Sequence, residues 1–176
     1  MSIREQEEIL FAEWEKRIGR YSFVRDGVVF EEGYNSSDQK VLFILKEVND
    51  EGGGGWDLRQ FVREGARSQT WNTITRWVKG IRELDRDIEW SEIKKVAHSE
   101  RVQTLSSIAV MNLKKVPGGG SSNKSEIENE AKKNQDFLNR QFEFYNPNIT
   151  ICCGTGTIIK DVLNVCTNIK WKKTSR

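Results

Sequence analysis

Residues 41–50 read VLFILKEVND, and this stretch decides the fold. Its five apolar residues, Val41–Leu45, stop at a Lys-Glu pair, and the glycines Gly52–Gly55 follow shortly after. A short apolar run bounded by turn residues is typical of a strand that is buried on both faces. Open α/β sheets bind ligands in the loops at the carboxyl ends of such strands. We therefore expect the functional site to begin just after Leu45.

Two further segments repeat the pattern of a buried strand followed by a polar, glycine-rich turn. They are Ser107–Leu113, which leads into residues 114–122, and Asn148–Gly154, which leads into a Gly-Thr-Gly turn. Amphipathic helical patterns lie between the strands, over residues 69–84, 90–105 and 125–145. Strands that alternate with helices predict a three-layer α/β fold, with a mostly parallel central sheet and helices on both of its faces.

The residues before this core carry two local patterns. Apolar side chains recur at helical spacing over residues 3–18 and predict an amphipathic helix. Asp26-Gly27 separates two apolar, β-branched runs, and this arrangement predicts a β-hairpin over residues 21–30. We therefore expect a small N-terminal helix and hairpin ahead of the sheet.

Composition is typical of a soluble globular domain. Of 176 residues, 36% are hydrophobic and 31% are charged, and 28 basic against 26 acidic residues give a formal net charge of +2. This predicts a single domain, residues 1–176, in which 1–40 form the N-terminal helix and hairpin and 41–176 form the core. The sequence has neither a membrane-spanning apolar run nor a signal-peptide pattern, so we expect a cytoplasmic protein with no membrane partner.

Residues suited to metal binding or to nucleophilic catalysis are scarce. The chain has one histidine, His98, and three cysteines without Cys-x-x-Cys spacing, so we expect no metal site and no cofactor. Cys152 and Cys153 stand inside an apolar run, which indicates small buried side chains. The turn Gly154–Gly156 lacks the third glycine of a dinucleotide fingerprint, and the phosphate-binding P-loop pattern is absent.

Polar residues follow each predicted strand, and the strands would end on one edge of a parallel sheet. The strand ends are Lys46–Asn49, Asn112–Lys115 and Gly154–Gly156. Glu47 is a candidate general base, or a carboxylate that orients a water molecule. Asn112 is a candidate for a two-point hydrogen bond to an amide-like edge, such as the Watson–Crick edge of a base. Two simpler alternatives stay open: Glu47 pairs with Lys46 or Lys114, and Asn112 caps its strand.

These strand ends resemble the motifs of the uracil-DNA glycosylase superfamily over residues 40–163. The family's first motif follows its first buried strand, where this chain has Lys-Glu-Val-Asn-Asp at residues 46–50. The family's second strand ends in an Asn that recognises the base, and Asn112 matches it. Residues 147–154 are similar to the family's Pro-x-x-Ile-x-x-x-Gly strand. The resemblance implies a parallel α/β sheet and a partner, DNA, from which a base is flipped.

The resemblance also implies roles for individual residues. Glu47 or Asn49 would take the catalytic, water-activating role, because Val48 stands where the most active branches of the family carry Asp or Asn. Trp56 or Phe61 would stack on the flipped base. The other candidate substrate-binding residues are Lys46, Asn112, Lys114, Gly118, Gly119 and Ser121.

The chain departs from the family at both ends of the resemblance. Lys46 stands where the family has its first glycine, and the proline and glycines of the first motif are replaced. The family's last motif, a His-Pro-Ser type loop, has no counterpart, because the chain ends just as a strand over Asn168–Lys172 is predicted to begin. We therefore expect either a truncated form or a protein without that motif.

Three functional interpretations remain open at this point. The first is a glycosylase-like protein that excises or recognises uracil or a related damaged base in DNA. The second is a catalytically inactive module that binds a nucleobase, a nucleotide or nucleic acid on the same fold. The third is an unrelated α/β domain whose polar strand ends are only structural. A truncated sheet would also expose an edge, so we expect homo-oligomers.

Overall fold

The computed structural model describes residues 1–166 and forms an α/β fold around a four-stranded mixed sheet. The strands are β1 (Gly27–Val28), β2 (Val41–Leu45), β3 (Ile108–Asn112) and β4 (Ile149–Cys152), in the order β1-β3-β2-β4. β2 pairs in parallel with both β3 and β4, whereas β1 runs antiparallel to β3. The prediction of a mostly parallel sheet is therefore confirmed. The predicted strand at Asn168–Lys172 lies outside the described residues.

Helices connect these strands and flank the sheet. They are α1 (Ile3–Ile18), α2 (Glu31–Asn35), α3 (Leu58–Arg63), α4 (Ser68–Arg82), α5 (Trp90–Ile93), α6 (His98–Leu105), α7 (Lys124–Lys133), α8 (Gln135–Tyr145) and α9 (Gly156–Val162). Short 3₁₀ turns lie at Arg20–Ser22 and Asn164–Cys166. The helix predicted over 90–105 is divided into α5 and α6, and that over 125–145 is divided into α7 and α8 at Asn134.

Alternate residues of β2 point to opposite faces of the sheet and enter two hydrophobic clusters. Leu42 and Ile44 pack with residues of α1, α7, α8 and α9, whereas Val41 and Phe43 pack with residues of α3, α4 and α6. All four side chains are fully buried, and burying one of this size contributes about 1.5–3 kcal/mol. β2 is therefore the centre of the core, and the helices on both faces are compatible with the predicted three-layer arrangement.

The prediction of a β-hairpin over residues 21–30 is wrong. The short strand β1 pairs with β3 from the middle of the chain. The residues after β1 form α2 instead of a second strand. The N-terminal segment is therefore joined to the edge of the central sheet and does not form a separate ribbon.

The physical reason lies in Asp26, which is fully buried. Its carboxylate accepts hydrogen bonds from the backbone N–H of Asn112 at 2.6 Å and from the amine of Lys115 at 2.7 Å. Gly27 has a φ of 135°, and a Cβ at this position would stand 2.0 Å from a carboxylate oxygen of Glu7. In the interior, Asp26 therefore pairs with Lys115 and Gly27 leaves room for Glu7. The same dipeptide at the surface would favour a tight turn.

Candidate functional site

A pocket of about 630 Å³ lies at the carboxyl ends of β2 and β3. Its wall comes from Leu45 at the end of β2, from residues 47–50 after it, from Trp56, Leu58 and Phe61 around α3, from Arg67 and residues 69–71 at the start of α4, and from Asn112 at the end of β3. Its volume falls within the range of about 300–1,000 Å³ that is usual for small-ligand sites. The pocket therefore occupies the place predicted for the site, although the end of β4 contributes nothing to the described lining.

Asn112 is the polar group buried deepest in this pocket. The residue is 2% exposed, and neither its Oδ1 nor its Nδ2 has a hydrogen-bond partner among residues 1–166. Buried polar side-chain atoms are nearly always paired, and an unsatisfied one costs about 1–3 kcal/mol. The alternative in which this carboxamide only caps its strand is therefore wrong. A ligand in the pocket could supply both missing partners.

Aromatic rings form one wall of the pocket. Trp56 and Phe61 both line it, with ring centroids 6.0 Å apart and an interplanar angle of 72°. The indole N–H of Trp56 donates to the carboxylate of Asp50 at 2.8 Å. Asp57 caps α3 by accepting a hydrogen bond from the backbone N–H of Arg59 at 2.9 Å. These contacts hold the two rings in place, so that an aromatic face is available to a planar ligand.

Glu47 lines the same pocket, but its carboxylate is already bonded. It accepts a hydrogen bond from the amine of Lys114 at 2.7 Å, and the two side chains are 5% and 8% exposed. Lys114 also pairs with Glu126 at 2.5 Å. Burial by itself lowers the pKa of Lys114, but the hydrogen bonds to Glu126 and Glu47 outweigh it and raise that pKa. The alternative in which Glu47 pairs with Lys114 is confirmed, so that the carboxylate of the candidate general base is already bonded to an amine.

The loops that follow β2 and β3 are joined to each other. The backbone N–H of Gly118 donates to the carbonyl of Val48 at 2.9 Å, and the N–H of Asp50 donates to the carbonyl of Gly118 at 3.0 Å. Asn49, which lies opposite Gly118 in this bridge, is exposed and lines the pocket. Gly118, in the glycine run after β3, therefore fixes the position of the loop that follows β2.

The structure brings together only some of the residues predicted for the site. Those that line the pocket are Glu47, Asn49, Trp56, Phe61 and Asn112. Those outside the described lining are Lys46, Lys114, Gly118, Gly119 and Ser121. Lys46 extends toward β4, since its Cε lies 3.2 Å from the position of a Cβ on Gly154. Lys114 is bonded to Glu47 from outside the lining, and Gly118 leaves room for the carboxylate of Glu47 because it has no Cβ.

Gly118→Ala is expected to lower the free energy of unfolding by about 1–3 kcal/mol. A Cβ on Gly118 would stand 2.3 Å from the carboxylate carbon of Glu47 and would push it away from Lys114. Gly119→Ala is the matched control, because the Cβ there would meet Glu51 at 3.8 Å, an ordinary contact. Neither glycine has a positive φ. Urea denaturation of both variants measures the difference, and equal stabilities would contradict the close packing of Glu47 on Gly118.

A network of buried charged and polar side chains fixes the backbone of Asn112. The fully buried amine of Lys115 donates to both carboxylate oxygens of Asp26 at 2.7 Å and to the side-chain oxygen of Gln141 at 2.8 Å. Gln141 in turn donates to Asp26 and to the hydroxyl of Tyr145, both at 2.7 Å. Burial lowers the pKa of Lys115, and the carboxylate of Asp26 offsets part of that shift. Because Asp26 also binds the backbone N–H of Asn112, the network fixes the strand end.

A second buried ion pair ties the N-terminal helix to the pocket wall. Glu7 is fully buried, pairs with Arg59 at 2.5 Å and accepts a hydrogen bond from the backbone N–H of Val28 at 2.8 Å. Burial raises the pKa of Glu7, and the guanidinium of Arg59 acts against that shift. Arg59 also pairs with Asp57, the N-cap of α3, at 2.6 Å. The wall that carries Phe61 is therefore anchored to α1 and β1.

Sequence reasoning missed these buried charges, although the sequence contains a signal for them. Gln141 stands within the apolar stripe of α8, and Glu7 stands on the apolar face of α1 between Ile3 and Leu10. A polar residue in an apolar stripe indicates a buried polar group that needs a partner. The partners themselves lie in remote segments, so that the pattern cannot identify them.

Searches against protein-family models, curated proteins and solved structures find no match for this chain. Within residues 1–166, His, Cys, Asp and Glu side chains form no group of three or more that could hold a metal ion. In the same range no helix combines the length and the apolar character that crossing a membrane requires. The function is therefore inferred from the geometry of the pocket itself.

Proposed function

We propose that this pocket binds a nucleobase, with the carboxamide of Asn112 pairing to an amide-like edge of the base. The observation that carries the proposal is a 2%-exposed carboxamide whose oxygen and nitrogen both lack partners. A carboxamide offers a donor and an acceptor side by side, and the hydrogen-bonding edges of bases present the complementary pair. A ligand that met both atoms would remove their desolvation penalty and form two hydrogen bonds.

The aromatic wall and the sequence resemblance support the same ligand. Trp56 and Phe61 line the pocket with Asn112 and supply rings on which a planar base can stack. The uracil-DNA glycosylase superfamily, which the strand ends resemble, uses an Asn at the matching position to recognise a base. The proposal therefore extends to a glycosylase-like fold and to uracil, or a related damaged base, in DNA as the target.

The contacts of Glu47 favour a protein that binds a base without excising it. The carboxylate of Glu47 is bonded to the amine of Lys114 at 2.7 Å, so that this amine occupies the group that would otherwise orient a water molecule. Val48, a side chain that cannot activate water, stands where active branches of the family carry Asp or Asn. A pocket in which Asn112 has no partner and Glu47 is bonded to Lys114 is suited to binding.

Titration of the protein with deoxyuridine, deoxycytidine, deoxyadenosine and deoxyguanosine tests this proposal by calorimetry. We expect one or more of them to bind, and we expect binding to be lost when the best ligand is methylated at the ring nitrogen of its amide-like edge. That methyl group replaces the ring hydrogen of deoxyuridine or deoxyguanosine, and it blocks the ring-nitrogen lone pair of deoxycytidine or deoxyadenosine, so that in each case the edge can no longer pair with Asn112. Binding of the methylated and unmethylated forms with equal affinity would overturn the proposed recognition, as would the absence of any binding.

Base excision is the second candidate function, and the carboxylates of the pocket favour it. Glu47 and Asp50 both line the pocket that contains Asn112, and negative charge there would stabilise a positively charged sugar during cleavage. Incubation with a uracil-containing oligonucleotide should then yield an abasic product. The rate should fall in Asp50→Asn and Glu47→Gln. If the unmodified protein forms no abasic product at high concentration, excision is ruled out and binding remains.

A further inference from the structure

Helix α4 begins at the pocket, and no side chain caps its first turn. Arg67, the N-cap residue, and Gln69 and Thr70 of the first turn line the pocket beside Trp71. The first turn contains no acidic residue. Trp71 is the first residue of the helix whose backbone N–H is bonded, to the carbonyl of Arg67 at 3.3 Å. The free N–H groups of such a helix end carry partial positive charge and favour an anion.

One charged side chain of the pocket, that of Arg67, adds to this preference. Among those in the described lining, Glu47 is paired with Lys114, and Asp50 accepts a hydrogen bond from the indole of Trp56. The guanidinium of Arg67 is exposed and has no hydrogen bond or ion pair within residues 1–166. Arg67 is therefore a cation available to a ligand, and a guanidinium suits phosphate geometry.

The unpartnered carboxamide of Asn112 is an independent indication that the same pocket holds a ligand. Asn112 lines the pocket together with Arg67, Gln69 and Thr70, and its two polar atoms are buried without partners. A ligand that reaches both features needs a planar amide edge at one end and an anionic group at the other. A volume of about 630 Å³ accommodates more than a bare base.

We infer that the pocket takes a nucleotide, with its phosphate bound at the first turn of α4 and by Arg67 while its base reaches Asn112. This inference rests on the proposed function and specifies its ligand as phosphorylated. The phosphate can belong to a free mononucleotide or to a nucleic-acid strand, since the chemistry at α4 is the same. The backbone N–H groups of Gln69 and Thr70 and the guanidinium of Arg67 would be its donors.

Calorimetric titration compares the best-binding deoxynucleoside with its 5′- and 3′-monophosphates and with a short single strand that contains the same base. Charge-assisted hydrogen bonds to a phosphate predict that at least one phosphorylated form binds about tenfold or more tightly than the nucleoside. A mononucleotide that reaches the full affinity identifies a free nucleotide as a sufficient ligand. If the affinity rises only with the single strand, the phosphate that binds at α4 belongs to a nucleic acid.

Two variants test the phosphate site, and one variant serves as a control. Arg67→Gln and Gln69→Glu should each abolish most of the gain from the phosphate, measured in each variant as the ratio of its affinities for the nucleotide and for the nucleoside. Gln69→Glu is informative because an acidic residue in the first turn favours the helix while it repels a phosphate. Arg63→Gln removes the same charge from α3, outside the described lining, and should preserve the gain.

The outcomes separate this inference from the proposed function. If nucleoside and nucleotides bind equally well, the phosphate site is overturned and recognition of the base stands. It is overturned equally if Arg67→Gln and Gln69→Glu both keep the gain. If the nucleotides bind through Arg67 but Asn112→Ala has no effect, the base-recognition proposal is overturned and an anion site at α4 stands. If no nucleoside, nucleotide or strand binds, both are wrong.

Discussion

Lys115→Met is expected to lower the free energy of unfolding by about 3–5 kcal/mol, because it removes one partner of a buried ion pair. The amine and the carboxylate of Asp26 are both fully buried, at 2.7 Å from each other. Without the amine, the carboxylate of Asp26 stays in the interior, and among residues 1–166 its hydrogen bonds come only from Gln141 and from the backbone of Asn112. Because domains have about 5–15 kcal/mol of total stability, the variant should be close to unfolding.

Urea denaturation monitored by tryptophan fluorescence measures this loss, with Lys132→Met as the control. Lys132 pairs with Glu128 on the surface at 2.7 Å, and exposed pairs contribute little, so that the control should match the unmodified protein. The double variant Asp26→Asn/Lys115→Met should recover part of the lost stability, since it also removes the unpaired charge. A Lys115→Met protein as stable as the control would contradict the buried charge network.

Asn112→Ala is expected to abolish nucleobase binding and to leave the free energy of unfolding unchanged or raised by about 1–2 kcal/mol. The substitution removes two buried polar atoms that have no partners, and it keeps the backbone N–H that donates to Asp26. Because the carboxamide lines an existing pocket, its loss enlarges that pocket and opens no sealed cavity. Calorimetry with the best-binding nucleoside and urea denaturation measure the two effects.

Asn134→Ala is a control that matches Asn112→Ala in chemistry and in burial, since both asparagines are 2% exposed. The side-chain oxygen of Asn134 accepts a hydrogen bond from the indole N–H of Trp14 at 3.0 Å, and its amide donates to the carbonyl of Glu130. Its removal should cost about 1–3 kcal/mol and should not change the affinity for a base. If Asn112→Ala destabilised the protein as much as Asn134→Ala does, the carboxamide of Asn112 would have a structural role, and the site would lose its main support.

Local sequence patterns were sufficient to predict the strands of the core and several of the helices. The apolar run Val41–Leu45 forms β2, and the helical spacing over residues 3–18 forms α1. These predictions succeed because an apolar run and an amphipathic stripe are patterns of residues that are close together in the sequence. The predicted hairpin failed for the opposite reason. Asp26 is bonded to Lys115, 89 residues away, and this contact overrides the local preference for a turn.

The order of residues is enough to predict that polar side chains follow β2 and β3 and that Glu47 and Asn112 lie at one edge of the sheet. Which of these two side chains is free to bind a ligand depends on contacts that form in the folded chain. Glu47 is bonded to Lys114, 67 residues further along the chain, whereas the side chain of Asn112 is buried without a partner in the described structure. Pairing of this kind depends on distances of a few ångströms between remote segments, and no local pattern of residues contains that information.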